Sequence, residues 1–104
     1  MVKIVGIGGS LRSSSLSLQA LKIVAERVEA IGAEVEILDL GTLKLPFCNG
    51  GNEYPEYPDV DKMQQIVKQA DGLILVTPEY HGSISGLMKN ALDLMSFEHL
   101  DGKV

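Results

Sequence analysis

The chain predicts an α/β domain built on a parallel sheet. Short β-branched runs alternate with longer stretches whose apolar residues recur every three to four positions, in the order βαβαβα. Two loops rich in glycine and hydroxyl groups, residues 8–17 and 77–86, each leave an apolar run and enter a helix. In a parallel sheet with right-handed crossovers, both loops fall at the carboxyl ends of strands, where open α/β sheets bind ligands.

The elements follow in order. Residues 2–7 (Val-Lys-Ile-Val-Gly-Ile) form a near-continuous β-branched run, the pattern of a strand buried on both faces. Leu21, Val24, Ala25, Val28 and Ile31 recur at helical spacing, and Gly32 supplies the stop. Residues 34–38 alternate as an edge-type second strand, and residues 41–58, rich in Gly, Pro and Asn, read as a long surface loop. Val60, Met63, Ile66, Val67 and Ala70 make a second amphipathic helix begun by Pro58 and Asp59, and residues 72–77 make the third strand. A third helix carries Leu87, Ala91, Leu92 and Met95 on one face. Residues 101–104 look like a turn and the start of a fourth strand. A doubly wound sheet of the flavodoxin-like kind runs in the order 2-1-3-4-5. Residues 1–104 are therefore expected to be the N-terminal part of one such domain, with three βα units present and the C-terminal strands missing.

Composition narrows the function. The 104 residues hold one domain, and no apolar stretch approaches the roughly 20 residues that cross a bilayer, so no membrane role is expected. The start runs directly into a strand pattern with no leader signature, and a single cysteine, Cys48, permits no internal disulfide. A cytoplasmic setting is expected, with Cys48 an inert loop thiol. Nine basic residues are scattered among fourteen acidic ones for a net charge of −5, so nucleic acid is not an expected partner.

The first loop places Ser10, Arg12, Ser13, Ser14, Ser15 and Ser17 at a helix start, where unpaired N–H groups and the macrodipole favour an anion. A single capping serine with a solvated Arg12 would be the plain reading. The density of hydroxyls exceeds what capping needs. Residues 6–11 (Gly-Ile-Gly-Gly-Ser-Leu) match only part of a dinucleotide fingerprint, and Asp39 reads better as a surface carboxylate than as a ribose-binding acid. Side-chain hydroxyls instead of glycines point to a terminal phosphate, hence a mononucleotide. GxxxxGK[ST] is absent, which excludes a P-loop.

In the second loop Pro78 stiffens the exit from the strand, Tyr80 and His81 offer flat π surfaces, and Gly82 lets backbone approach a planar group. Glu79 reads equally as a solvated, subunit-contact or ligand-contact carboxylate. Residues 82–86 (Gly-Ser-Ile-Ser-Gly) lack the central serine of a nucleophile elbow. His81, His99 and Cys48 are too dispersed for a metal site, and His99 reads as a solvated helix-end residue.

Gly9-Ser10-Leu11-Arg12 with Ser15 and Ser17, together with Thr77-Pro78-Glu79-Tyr80-His81-Gly82-Ser83 and Gly86-Leu87-Met88-Lys89-Asn90-Ala91-Leu92-Asp93, resemble the NADPH-dependent FMN reductase family over essentially the whole chain. The resemblance implies a flavodoxin-like fold that carries FMN, oxidises NADPH or NADH, and passes electrons to a small-molecule acceptor such as free flavin or a quinone. It puts the FMN phosphate on Ser10, Arg12, Ser15 and Ser17, and the isoalloxazine against Pro78, Glu79, Tyr80, His81, Gly82 and Ser83. Lys89 and Asn90 would belong to the helix that orients this second loop. No catalytic acid or base is implied, because the cofactor carries the chemistry. Ser17 stands where the family often has asparagine, and the family's third flavin loop, after a fourth strand, is missing. The resemblance also implies a homodimer or homotetramer. Two other classes stand beside it: a flavodoxin-like electron carrier, whose phosphate loop typically lacks an arginine such as Arg12, and a truncated chain without cofactor.

Overall fold

β1 (Lys3–Gly8) is the central strand of a parallel sheet ordered β2-β1-β3, with β2 (Glu34–Asp39) and β3 (Gly72–Val76) on either side. The computed structural model describes every residue except Ser13. Ile4 aligns with Val35 on one neighbour and with Gly72 on the other. β1 shows why a two-sided apolar run belongs in the middle. Val5 and Ile7 are fully buried in the core formed with Val60, Met63, Val67 and Met88. On the alternate face, Gly6 and Gly8 lie under Leu21 and Leu18 of α1 (Leu16–Ala30), close enough that a Cβ on Gly6 would sit 2.7 Å from the Leu21 Cδ1. Each fully buried aliphatic side chain here contributes roughly 1.5 to 3 kcal/mol of transfer free energy.

The other face is covered by α2 (Pro58–Gln69), α3 (Gly86–Asp93) and the short α4 (Phe97–Leu100), which share that core through Val60, Met63, Met88, Ala91, Leu94 and Met95. α2 begins on Pro58 at its first position, and α1 is capped by the Ser15 hydroxyl, which accepts from the Leu18 N–H at 3.2 Å. Between β3 and α3 the chain forms a small antiparallel hairpin, β4 (Glu79–Tyr80) and β5 (Ser83–Ile84).

Several sequence expectations change. On α1, Leu21 and Ala25 are buried, but Val24 is exposed and Ile31 more so, because Ile31 lies past the last helical turn. On α3 Ala91 is buried as expected together with Met88, Leu87 and Leu92 are only half-buried, and the buried Met95 lies beyond the end of the helix. The loop of residues 41–58 is only partly superficial, since Leu43, Leu45, Cys48, Tyr54 and Tyr57 pack on the core. His99 is buried, not solvated: its Nδ1 accepts from the Ser96 N–H at 3.0 Å and its Nε2 lies 3.3 Å from Glu98 Oε1. A ring nitrogen that satisfies a helix-end N–H lets the imidazole pack inward. At the chain's last residues, Val104 runs beside β3, its carbonyl accepting from the Leu73 N–H at 2.8 Å and its N–H donating to Asp71 O at 3.3 Å.

Candidate functional site

Because β1 and β3 are parallel neighbours, the loops that leave them emerge side by side. They are stitched together. The Gly9 N–H donates to Val76 O at 2.9 Å, and the Ser85 hydroxyl donates to Gly9 O at 2.6 Å. Ser85 is 2% exposed and also caps α3, accepting from the Met88 N–H at 3.1 Å. Across the second loop, the Ser85 N–H donates to Thr77 Oγ1 at 3.0 Å.

Between the loops lies a cleft of about 230 Å³ lined by Ser10, Arg12, Ser14, Ser15, Leu16, Ser17, Pro78 and Tyr80. On its polar side are four hydroxyls and one guanidinium, with no carboxylate. It opens at the start of the 15-residue α1, whose first turn holds no acid. None of the ion pairs among the described residues engages Arg12. The buried Ser10 and Ser15 hydroxyls shape this side: Ser10 Oγ accepts from the Arg12 N–H at 3.2 Å, and the Ser15 N–H donates to Arg12 O at 3.2 Å. Hydroxyl and guanidinium donors at a helix N-terminus are the chemistry that a phosphate ester requires. The opposite wall is Pro78 and the half-exposed Tyr80, a surface suited to the face of a ring.

The structure thus brings six of the expected contact residues into one cleft: Ser10, Arg12, Ser15, Ser17, Pro78 and Tyr80. Ser13 lies outside the described residues. Glu79, His81, Gly82 and Ser83 are exposed along the hairpin and do not line this cleft. His81 and Gly82 form its two-residue turn with φ of +53° and +80°, the left-handed pair of a type I′ connection. A Cβ on Gly82 would meet nothing within 4 Å, so within this chain the turn, not crowding, explains the glycine.

The profile of the NADPH-dependent FMN reductase family matches residues 2–104. The chain belongs to that family. Among its relatives, an NADPH azoreductase of Bacillus sp. (strain OY1-2) is 37% identical over 91% of this chain and 51% of its own length. An NAD(P)H-dependent FAD/FMN reductase of Geobacillus thermodenitrificans is 33% identical over 99% of this chain and 56% of its own. The chain therefore spans about half the length of the curated relatives it matches. Among solved structures, an apo NADH:FMN oxidoreductase aligns with a TM-score of 0.84 at 24% identity, over 99% of this chain and 55% of that one. The flavoenzyme NAD(P)H:(acceptor) oxidoreductase of Paracoccus denitrificans aligns at 0.77 and 28%, over 90% and 50%. The flavodoxin-like fold is shared with both.

Two parts of the site escaped the sequence. Thr77 and Ser85 tie the second loop to the first, yet only the capping half of Ser85's role was readable, as a serine three residues before Met88 at a helix start. Asn90 lies on α3 as expected, but its side chain bonds a different loop. Its Nδ2 donates to Pro46 O at 2.8 Å and its Oδ1 accepts from the Cys48 N–H at 2.9 Å, so it clamps the loop that follows β2. Lys89 pairs with Asp93 at 2.6 Å on the outer face of α3. No group of three or more His, Cys, Asp or Glu suited to a metal ion occurs among the described residues, and no helix there is long and apolar enough to cross a membrane.

Proposed function

We propose that this chain supplies the phosphate-binding half of an FMN site in an NAD(P)H-dependent oxidoreductase acting on a small-molecule electron acceptor. The observation that carries the reading is the cleft itself: hydroxyls and one guanidinium without a carboxylate on one wall, Pro78 and Tyr80 on the other. This donor set fits a phosphate monoester joined to a ring system. When bound, FMN supplies the redox chemistry, taking hydride from NADPH or NADH and passing electrons on to free flavin, a quinone or a similar acceptor.

The chain's own residues bind and orient. Arg12 and the hydroxyls of Ser10, Ser15 and Ser17 neutralise and hold the phosphate, while Pro78 and Tyr80 keep water from one side of the ring. The Glu79–Tyr80 and Ser83–Ile84 hairpin, with His81 and Gly82 at its tip, extends from that wall and offers backbone N–H and C=O groups to the polar edge of the flavin. No side chain is assigned the role of acid or base. The same reading takes residues 1–104 as the N-terminal part of a single FMN-binding domain, in keeping with the twofold length of the relatives. It further takes the protein as cytoplasmic and, on the family resemblance, as a homodimer or homotetramer.

Titrating the chain with FMN and with riboflavin, followed by anaerobic addition of NADPH or NADH, tests the reading. FMN uptake that exceeds riboflavin uptake, with flavin bleaching on reductant, supports it. Binding without bleaching moves the protein to the electron carriers, and no binding of either flavin overturns the site.

A further inference from the structure

Ser85 has one proton to give and two lone pairs to offer, and the structure uses all three. Gly9 O accepts only, so at 2.6 Å the Ser85 hydroxyl must be the donor. Its lone pairs are then left for the Met88 N–H at 3.1 Å and for Thr77 Oγ1, also at 3.1 Å, which fixes Thr77 as the donor to Ser85. Thr77 in turn accepts from the Ser85 N–H at 3.0 Å, and Pro78 O, 2.9 Å from Thr77 Oγ1, competes for the single threonine proton. The two hydroxyls therefore form a directed relay from the second loop into the backbone of the first. Its end point, Gly9, is buried and precedes Ser10, whose hydroxyl lines the cleft.

We infer that Ser85 and Thr77 are positioning residues of the flavin site, fixing the distance and orientation between the phosphate wall and the ring wall without touching the ligand. The inference rests on the FMN reading above. Capping α3 requires only the Ser85–Met88 bond. The Thr77 to Ser85 to Gly9 arm adds nothing to that cap, and it joins the two walls across 76 residues of sequence. At its Ser85 end the relay is buried, so removing a member there strands a desolvated partner, while at its Thr77 end Pro78 O is a second acceptor for the threonine proton.

Thr77→Val keeps the shape of the side chain and removes the hydroxyl, and Thr77→Ser keeps the hydroxyl. The chain and both variants are titrated with FMN by fluorescence quenching, the visible circular dichroism of the bound flavin is recorded at saturation, and each protein is melted without ligand. The expected result is an FMN affinity about tenfold weaker in Thr77→Val, of the size of one lost buried hydrogen bond, with a changed dichroism band and restoration of both by Thr77→Ser. A structural role alone would lower the melting temperature and leave the dichroism of the flavin that still binds unchanged, which overturns the inference. So does a Thr77→Val protein with wild-type affinity and dichroism. If Thr77→Val does not fold, Ser85→Ala is read in the same way. Failure of the wild-type chain to take up FMN overturns the proposed function itself and the inference with it, whereas uptake by the wild type with an indifferent Thr77→Val overturns the inference alone.

Discussion

Gly9 and Met88 lie so close that a Cβ built on Gly9 would sit 2.9 Å from the Met88 Cβ and 3.2 Å from the Ser85 hydroxyl. The first loop is thus pressed against the start of α3 by the absence of a side chain. Gly9→Ala is expected to cost roughly 1 to 3 kcal/mol of stability through overpacking, since the nearest atom belongs to the stem of Met88 and not to its flexible end. Urea unfolding checks the cost. A variant as stable as the parent would show that the loop has room to retreat.

Arg12→Ala should weaken FMN binding by roughly ten- to a hundredfold, the loss of one charge-assisted contact worth on the order of 1.5 to 3 kcal/mol. Riboflavin, which has no phosphate, should be affected much less. Isothermal titration with both flavins separates the cases, and equal losses would move Arg12 off the phosphate.

The hairpin tip makes opposite demands on its two residues. At φ +80°, Gly82→Val should cost roughly 1 to 2 kcal/mol or more by conformation alone, because the space around it is open. At φ +53°, His81→Asn should be neutral or slightly stabilising, since asparagine tolerates the left-handed region. Thermal melts of the two variants, together with FMN affinities, distinguish a turn effect from a ligand contact. Weaker flavin binding by His81→Asn would assign the imidazole a direct role.

Asn90→Ala removes the partner of both the Cys48 N–H and Pro46 O, and should cost about 1 to 3 kcal/mol while freeing the loop after β2. The half-buried Cys48 thiol reports that release. Its labelling by a disulfide reagent should accelerate in the variant, and an unchanged rate would mean that the packing of Leu43, Leu45 and Tyr54 holds the loop unaided.

The sheet was legible from its apolar pattern because β1 is apolar on both faces, β2 alternates and β3 is a short apolar run, which marks all three as strands. α1 and α2 were legible for the same reason. What escaped was set by contacts distant in sequence. No local pattern tells that Asn90 reaches Pro46, that Ser85 reaches Gly9, or that His99 turns inward because its own ring closes a helix end. The hairpin between β3 and α3 escaped because His81 occupies the place where Asn-Gly would have announced a type I′ turn. The wall of hydroxyls and guanidinium was readable because its residues lie in one contiguous stretch. The opposite wall was half readable: Pro78 and Tyr80 reach the cleft, while Glu79, His81, Gly82 and Ser83 stand apart from it.

The bond between Ser85 and Gly9 closes a span of 76 residues, and Gly9 also meets Val76 across the sheet. Closing a span of that length costs chain entropy that a local contact does not, and the cleft exists only where β1 and β3 are paired. Partly folded species that keep α1 or α2 would then present the serines without the wall opposite them. On the proposed reading flavin would select the completed state, each tenfold excess of free FMN over its dissociation constant deepening that state by about 1.4 kcal/mol. In a cell, the supply of flavin would set how much of this protein survives proteolysis as well as how much of it is competent to react.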